Sequence, residues 1–269
     1  MRIRIRHIST YSYASPARSV MQVLRLTPRN HEGQHVINWR IEVDANCLLK
    51  RSEDAFGNIV HTFSANGPLM ELTVSAEGEV ETFDTSGFVR NTVERFPPGL
   101  YLRESPLAIA DDALCDYAAT ISGDSPLEKM HNLLDTLHEK LEFDTDPTHL
   151  VTNASEAFAA KKAVAQDFAH IFIACARDQN VPARYVSGHI LTTESGETRQ
   201  SAHAWAEAYI RDYGWIGFDP AYGICPQETH VRVACALDYL GAAPVRGAQT
   251  GGSGEALDVR ISVTDSQNQ

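Results

Sequence analysis

The sequence predicts an α+β fold, with an N-terminal antiparallel β-sandwich-like domain over residues 1–95 and a mixed core over residues 96–246. Three observations predict it. Apolar and polar residues alternate through roughly the first 85 residues. Apolar residues then recur at helical spacing after the breaker cluster at residues 96–99, and alternation returns beyond residue 182.

In the N-terminal domain, residues 36–43 and 72–76 show the period-two pattern of half-buried strands. Turn-forming residues at 54–58 and 65–68 separate such runs, as hairpins require.

The core begins with helices. Ser125, Pro126 and Glu128 form a helix start, and leucines follow at helical spacing to Leu141. A second helix is expected near Asn153 and a third over residues 164–178.

Strands are expected at the end of the core, at residues 183–191, 202–210 and 213–218. In the tail, residues 247–254 are rich in glycine and predict a flexible linker. Residues 257–263 alternate strictly and predict a closing strand that pairs with a sheet formed earlier in the chain.

Charge and cysteine content exclude several classes of function. The net charge of −12 repels phosphate backbones and anionic membrane surfaces, so we expect neither nucleic acid nor membrane as a partner. No apolar run approaches the ~20 residues of a membrane span. The five cysteines lack CxxC spacing, which indicates reduced thiols in a cytoplasmic protein and neither a zinc site nor a disulfide framework. We predict no metal and no organic cofactor.

One predicted hairpin carries candidate catalytic groups. His203 lies in a strand, Asp219 ends the next one, and residues 211–214 provide the turn between them. An antiparallel pair brings the two side chains together, and a carboxylate there could orient an imidazole and stabilise its charged form. The alternative is a structural hydrogen bond.

A nucleophile for this pair belongs at the N-terminus of a buried helix. There the helix dipole lowers a thiol pKa, and free N–H groups can bind an oxyanion. The helix predicted from residue 164 has a suitable place in the chain.

Four ordered motifs resemble the bacterial transglutaminase-like superfamily of cysteine enzymes. They are AVAQDFAH at 163–170, VPARYVSG at 181–188, HAW at 203–205 and GWIGFDP at 214–220. Segments 7–16 and 24–29 are similar to the β-rich domain that precedes the core in many bacterial members. The resemblance implies a papain-like core.

The resemblance also assigns roles. It implies that residue 165 is the position of the nucleophilic cysteine, that His203 is the base and that Asp219 is the acid that orients it. In the family the first motif reads GVCQDFAH, whereas this chain has Ala163 and Ala165. Gln166 could contribute its backbone N–H to an oxyanion hole, or be only a polar first-turn residue. Trp205 could line the acyl-binding groove, or be a core residue.

No other cysteine is expected to replace the missing thiol. Cys175 lies ten residues further along the same helix, about 15 Å away at 1.5 Å per residue. Cys225 follows Asp219 in a loop and is the one candidate with access. Cys47, Cys115 and Cys235 are interpreted as buried small hydrophobes. His149 and His230 are placed in loops and given no site.

Two explanations of Ala165 stay open: an engineered substitution that inactivates the protein, which we favour, or a natural loss of catalysis. With cysteine at 165 the resemblance implies attack on an amide or ester carbonyl of a protein or peptide, followed by hydrolysis or transfer to an amine. Hydrolysis ranks first. The competing function is a peptide-binding module without catalysis. The sequence leaves the oligomeric state open.

Overall fold

The computed structural model describes residues 1–144, 152–192 and 202–266. The strands are β1 (Arg2–Thr27), β2 (Gln34–Val43), β3 (Lys50–Glu53), β4 (Ile59–Thr82), β5 (Phe88–Val89), β6 (Glu142–Phe143), β7 (Lys162–Ala163), β8 (Ala183–Ile190), β9 (Ala202–Ile210), β10 (Gly214–Phe218), β11 (His230–Ala236), β12 (Val245–Ser253) and β13 (Ala256–Asp265). The helices are α1 (Asp112–Ala119), α2 (Pro126–Lys140), α3 (Ala154–Ala160), α4 (Ala165–Asp178) and α5 (Tyr239–Ala242), with a 3₁₀ turn at Pro98–Leu102. The α+β class is confirmed.

The N-terminal sheet is built around two long strands, β1 and β4, which pair along most of their length. Its order is β12-β1-β4-β2, with β13 also on β1 and β3 also on β4. Alternate residues of β1 are buried, as the period-two pattern predicts, and they pack with β4 residues in two apolar clusters.

The glycine-rich segment at 247–254 is not a flexible linker, and that prediction is wrong. Residues 245–253 form β12, which pairs antiparallel with β1 from Leu24 to Ser15. Gly251 and Gly252 have φ of +69° and +76°, so glycine serves here to shape an irregular strand rather than to loosen the chain. The closing strand is found as predicted, because β13 pairs with the first half of β1.

The core sheet has the order β11-β8-β9-β10-β5. Its last member, β5, comes from residues 88–89, which the sequence analysis assigned to the N-terminal domain.

Helix α4 packs against β8 and β9. It begins after Val164, whose N–H donates to the Asp167 carboxylate, and almost all its residues are buried. The predicted helix starts at Ser125 and Asn153 are also found, with both side chains accepting first-turn N–H groups.

Within the described ranges, no helix combines the length and the apolar character needed to cross a membrane.

Two polar side chains of the N-terminal domain form hydrogen bonds with an edge strand of the core sheet. The amide of buried Gln34 donates to the carbonyl of Arg232 and accepts from its N–H, at 2.9 and 2.8 Å. The Asn58 amide likewise donates to the carbonyl of Cys235 and accepts from the Cys235 N–H, both at 2.8 Å. Both partners lie on β11, so the N-terminal domain fixes the outermost strand of the core sheet.

A buried ion network joins three strands of that sheet. Glu207 on β9 is fully buried and accepts from Arg184 on β8 at 2.6 Å and from Arg232 on β11 at 2.7 Å. Burial alone would raise the pKa of Glu207, but the two guanidinium groups lower it to about 2. Arg184 also pairs with Glu94 and stacks on the Trp215 ring at 3.9 Å.

We expect Glu207→Gln to lower the free energy of unfolding by about 3–5 kcal/mol, since two buried guanidinium groups lose their shared carboxylate. Glu77→Gln is the matched control: Glu77 is 40% exposed in its pair with Arg40 and should matter by less than about 1 kcal/mol. Denaturant unfolding of the three proteins measures both. Equal losses would contradict the assignment of stability to the buried network.

Buried His7 predicts a loss of stability in mild acid. Burial lowers the pKa of His7 to about 4, against an ordinary value of 6.5. The unfolded chain therefore binds more protons below pH 6.5, so the stabilisation is complete above that pH and declines as the pH falls toward 4. Between pH 7 and 5 the loss should be about 2 kcal/mol.

The test compares unfolding free energies at pH 7 and 5 for the unmodified chain and His7→Gln, which should lose about 2 kcal/mol less on acidification. His35→Gln makes the same change at an exposed histidine. If His7→Gln and His35→Gln show the same pH dependence, the role of His7 is refuted.

Candidate active site

His203 and Asp219 meet as the hairpin predicts. β9 and β10 pair from Gly214 opposite Ile210 to Phe218 opposite Ala206, and Asp219 follows immediately. The His203 Nε2 to Asp219 Oδ2 distance is 2.5 Å. Both side chains are almost completely buried.

The Asp219 carboxylate accepts four hydrogen bonds from N–H groups. Oδ1 accepts from the backbone N–H groups of Ala221 at 3.2 Å and Tyr222 at 3.4 Å. Oδ2 is contacted by the Nε2 atoms of His203 and His230. Burial by itself would raise the Asp219 pKa, but the attraction of His203 and the hydrogen bonds of the two imidazoles outweigh it, so the pKa lies below its ordinary value.

His230 belongs to this cluster, and the prediction that it lies in a loop without a site is wrong. It is the first residue of β11, and its Nε2 lies 3.1 Å from Asp219 Oδ2. Neither the 11-residue separation nor a motif indicates this contact. β11 is an edge strand of the core sheet and is separated from β10 by β8 and β9, so the contact depends on the order of the strands in the folded sheet. His149 lies outside the described residues.

Trp205 is a core residue, with 2% of its surface exposed, and does not line an open groove. Its ring packs directly over Gly188 on β8. A side chain at position 188 would clash with the indole, because an added Cβ would lie 2.6 Å from it. Beyond that glycine, the indole meets the His230 ring nearly perpendicularly, with centroids 5.4 Å apart. Trp205 therefore packs against the rings of both His203 and His230 and restricts their movement.

Ala165 is the first residue of α4 and Gln166 the second, and both are half-buried. The first N–H groups of a helix have no acceptor within it, so this end can bind a negatively charged oxygen. Phe172, two turns further on, stacks on Phe218 of β10 at 5.1 Å, which anchors the helix to the strand that leads to Asp219.

Two exposed aromatic residues that the sequence analysis did not single out lie near the site: Tyr222 contacts His203, and Phe143 contacts Tyr222. The Tyr222 ring is 5.2 Å from the His203 ring and 38% exposed. Phe143, 40% exposed, lies 5.9 Å from Tyr222. The signal available in the sequence was the position of Tyr222 three residues after Asp219.

The remaining thiols are poorly suited to replace a nucleophile. Burial, with the nearby Asp135 carboxylate, raises the pKa of Cys225 to about 11, so the accessible candidate is a weak one. A hydrogen bond with Asp178 and burial raise the pKa of Cys115 to about 11. Burial also raises the pKa values of Cys47 and Cys175.

His203, Asp219 and His230 could in principle hold a metal ion, because each offers one ligand atom and these atoms lie within 4.8 Å of one another. The hydrogen bonds disfavour it. The backbone N–H of Gln227 donates to His230 Nδ1 at 3.2 Å, so Nδ1 carries the lone pair and Nε2 the proton. A metal at Nε2 would move that proton to Nδ1, against the Gln227 N–H.

Two family models match the chain in succession. Residues 3–81 match the bacterial transglutaminase-like N-terminal region, and residues 116–220 match the transglutaminase-like superfamily core. An uncharacterized protein of Mycobacterium leprae is 27% identical over 98% of both chains. Another, from Mycobacterium tuberculosis, is 28% identical over 97% of this chain and 92% of its own.

Among solved structures, a "putative cysteine protease" from Cytophaga hutchinsonii is similar, with a TM-score of 0.77 at 21% identity, over 98% of this chain and 90% of its own. This likeness extends to both domains. The chain thus shares its fold with that protein, and it is similar in sequence to the bacterial transglutaminase-like N-terminal region over residues 3–81 and to the transglutaminase-like superfamily core over residues 116–220.

Proposed function

We propose that this scaffold is a cysteine-dependent hydrolase or acyltransferase for amide or isopeptide bonds of a protein or peptide, with residue 165 as the position of the nucleophile. The chain with Ala165 is accordingly expected to lack thiol-dependent turnover. The observation that carries the proposal is the buried His203–Asp219 hydrogen bond, in the sheet on which α4 packs.

With cysteine at position 165, the start of α4 would stabilise the thiolate through the helix dipole. Nε2 of His203 is held by Asp219, which leaves Nδ1 as the nitrogen that takes the thiol proton and returns it to the leaving group. Backbone N–H groups at the helix start, including that of Gln166, would bind the oxyanion. Water or an amine then resolves the acyl-enzyme, and we rank water first.

A second candidate is a peptide-binding module without catalysis. Alanine at both 163 and 165 favours it, as do two exposed rings that offer an apolar surface to a bound peptide: Tyr222, which contacts His203, and Phe143, which contacts Tyr222. The wild-type codon for residue 165 separates the candidates: a codon for alanine supports the binding module, and a codon for cysteine supports the engineered enzyme.

We expect Ala165→Cys to create a reactive thiol. At pH 7 it should react with iodoacetamide at least about tenfold faster than any of the five cysteines already present, because the helix start and His203 both favour the thiolate. The same variant should gain hydrolysis or aminolysis of amide substrates. Mass spectrometry of the labelled peptides identifies the modified residue.

The matched control is Ala165→Cys with His203→Gln, which keeps the new thiol but removes the imidazole; its labelling at pH 7 should fall toward that of an ordinary cysteine. An Ala165→Cys thiol that reacts no faster than Cys225, in a protein with no amide-cleaving or acyl-transfer activity, would sink the enzyme proposal.

A further inference from the structure

We propose that His230 is a positioning residue of the candidate active site: a second imidazole whose Nε2–H holds Asp219 in the orientation that His203 requires. The catalytic consequence rests on the proposed function. The role of His230 in holding Asp219 is inferred from hydrogen bonds present in the chain with Ala165, and it does not depend on catalysis.

The protonation of His230 follows from its surroundings. The backbone N–H of Gln227 donates to Nδ1 of His230 at 3.2 Å, and the Thr229 hydroxyl lies 3.1 Å from the same nitrogen. Nδ1 is therefore unprotonated in the neutral ring, and the proton is on Nε2. That proton faces Asp219 Oδ2 at 3.1 Å, so His230 is a donor to the carboxylate.

The ring itself has little freedom to move. His230 is the first residue of β11, and its side chain is 2% exposed. The Trp205 ring packs edge-on against the His230 ring. Its position is thus set by the sheet and is independent of the turn that holds Asp219. Oδ1 of Asp219 is fixed by its own turn, and His230 fixes Oδ2, so the carboxylate plane cannot rotate without breaking one of the two sets of contacts.

Two donors on one oxygen also share its charge. Without the His230 proton, Oδ2 would interact with His203 alone, and the carboxylate would be freer to rotate away from it. Losing the His230 donor and freeing the carboxylate would both alter the His203–Asp219 hydrogen bond. The NMR resonance of the proton in that bond reports the alteration, because it depends on the geometry and strength of the bond.

Two substitutions separate the two sides of the His230 ring. His230→Gln places an amide N–H near the position of Nε2, and so retains a donor for Asp219 while losing the acceptor for Gln227. His230→Asn does the reverse, since its shorter side chain can accept from Gln227 but does not reach Asp219. A purely structural role in the Gln227 turn predicts that asparagine is tolerated and glutamine is not.

In the Ala165 chain, ¹⁵N-edited NMR of the histidine rings should show exchange-protected, low-field Nε2–H protons on both His203 and His230. His230→Asn should shift the His203 resonance and speed its exchange with water, and His230→Gln should leave it near its original position. Thermal unfolding of each variant confirms that it is folded. His7→Gln, in the other sheet, is the control that should leave His203 unchanged.

In the Ala165→Cys background, adding His230→Asn should lower kcat about tenfold with little change in KM, whereas adding His230→Gln should keep kcat within about threefold. If Ala165→Cys is itself inactive, the proposed function fails while the NMR experiment still decides the role of His230. An Nδ1–H tautomer for His230, or a His203 resonance that His230→Asn does not move, would overturn the inference.

Discussion

The structure of the site depends on keeping one buried carboxylate ionised. Asp219 has no exposed surface, and an isolated charge there would cost several kcal/mol in lost hydration. Four N–H groups offset that cost: two from the turn after Asp219, one from β9 and one from β11. The donors lie in three parts of the chain, so the carboxylate joins the turn and two strands into one site.

The order of the core sheet explains why those strands need further support. β8 separates β9 from β11, so no backbone hydrogen bond links the strand of His203 to the strand of His230. Glu207 links them through side chains, by pairing with Arg184 on β8 and Arg232 on β11. Gln34 then ties β11 to the N-terminal sheet through Arg232. The N-terminal domain thereby contributes to the position of His230 without entering the site.

The sequence predicts those parts of the site that depend on local pattern. The alternation of β9 and β10, with a short turn, is sufficient to bring His203 to Asp219. The contact of His230 depends on sheet order, which no local pattern encodes. Trp205 faces the histidines as strand alternation suggests, but its burial depends on Gly188 in a different strand. Strand β12 escaped prediction because glycine composition indicates flexibility, whereas its pairing with β1 is a long-range interaction.

None of the four donors to Asp219 comes from α4, and this bears on the meaning of Ala165. The hydrogen bonds of the carboxylate satisfy its charge whichever side chain occupies position 165, so the His203–Asp219 pair is stable as a structural unit. Ala165, small and half-buried at the start of α4, makes none of these contacts with the carboxylate. Under the proposed function, a thiol at position 165 would therefore change the chemistry of the site without changing the hydrogen bonds that hold His203 in place.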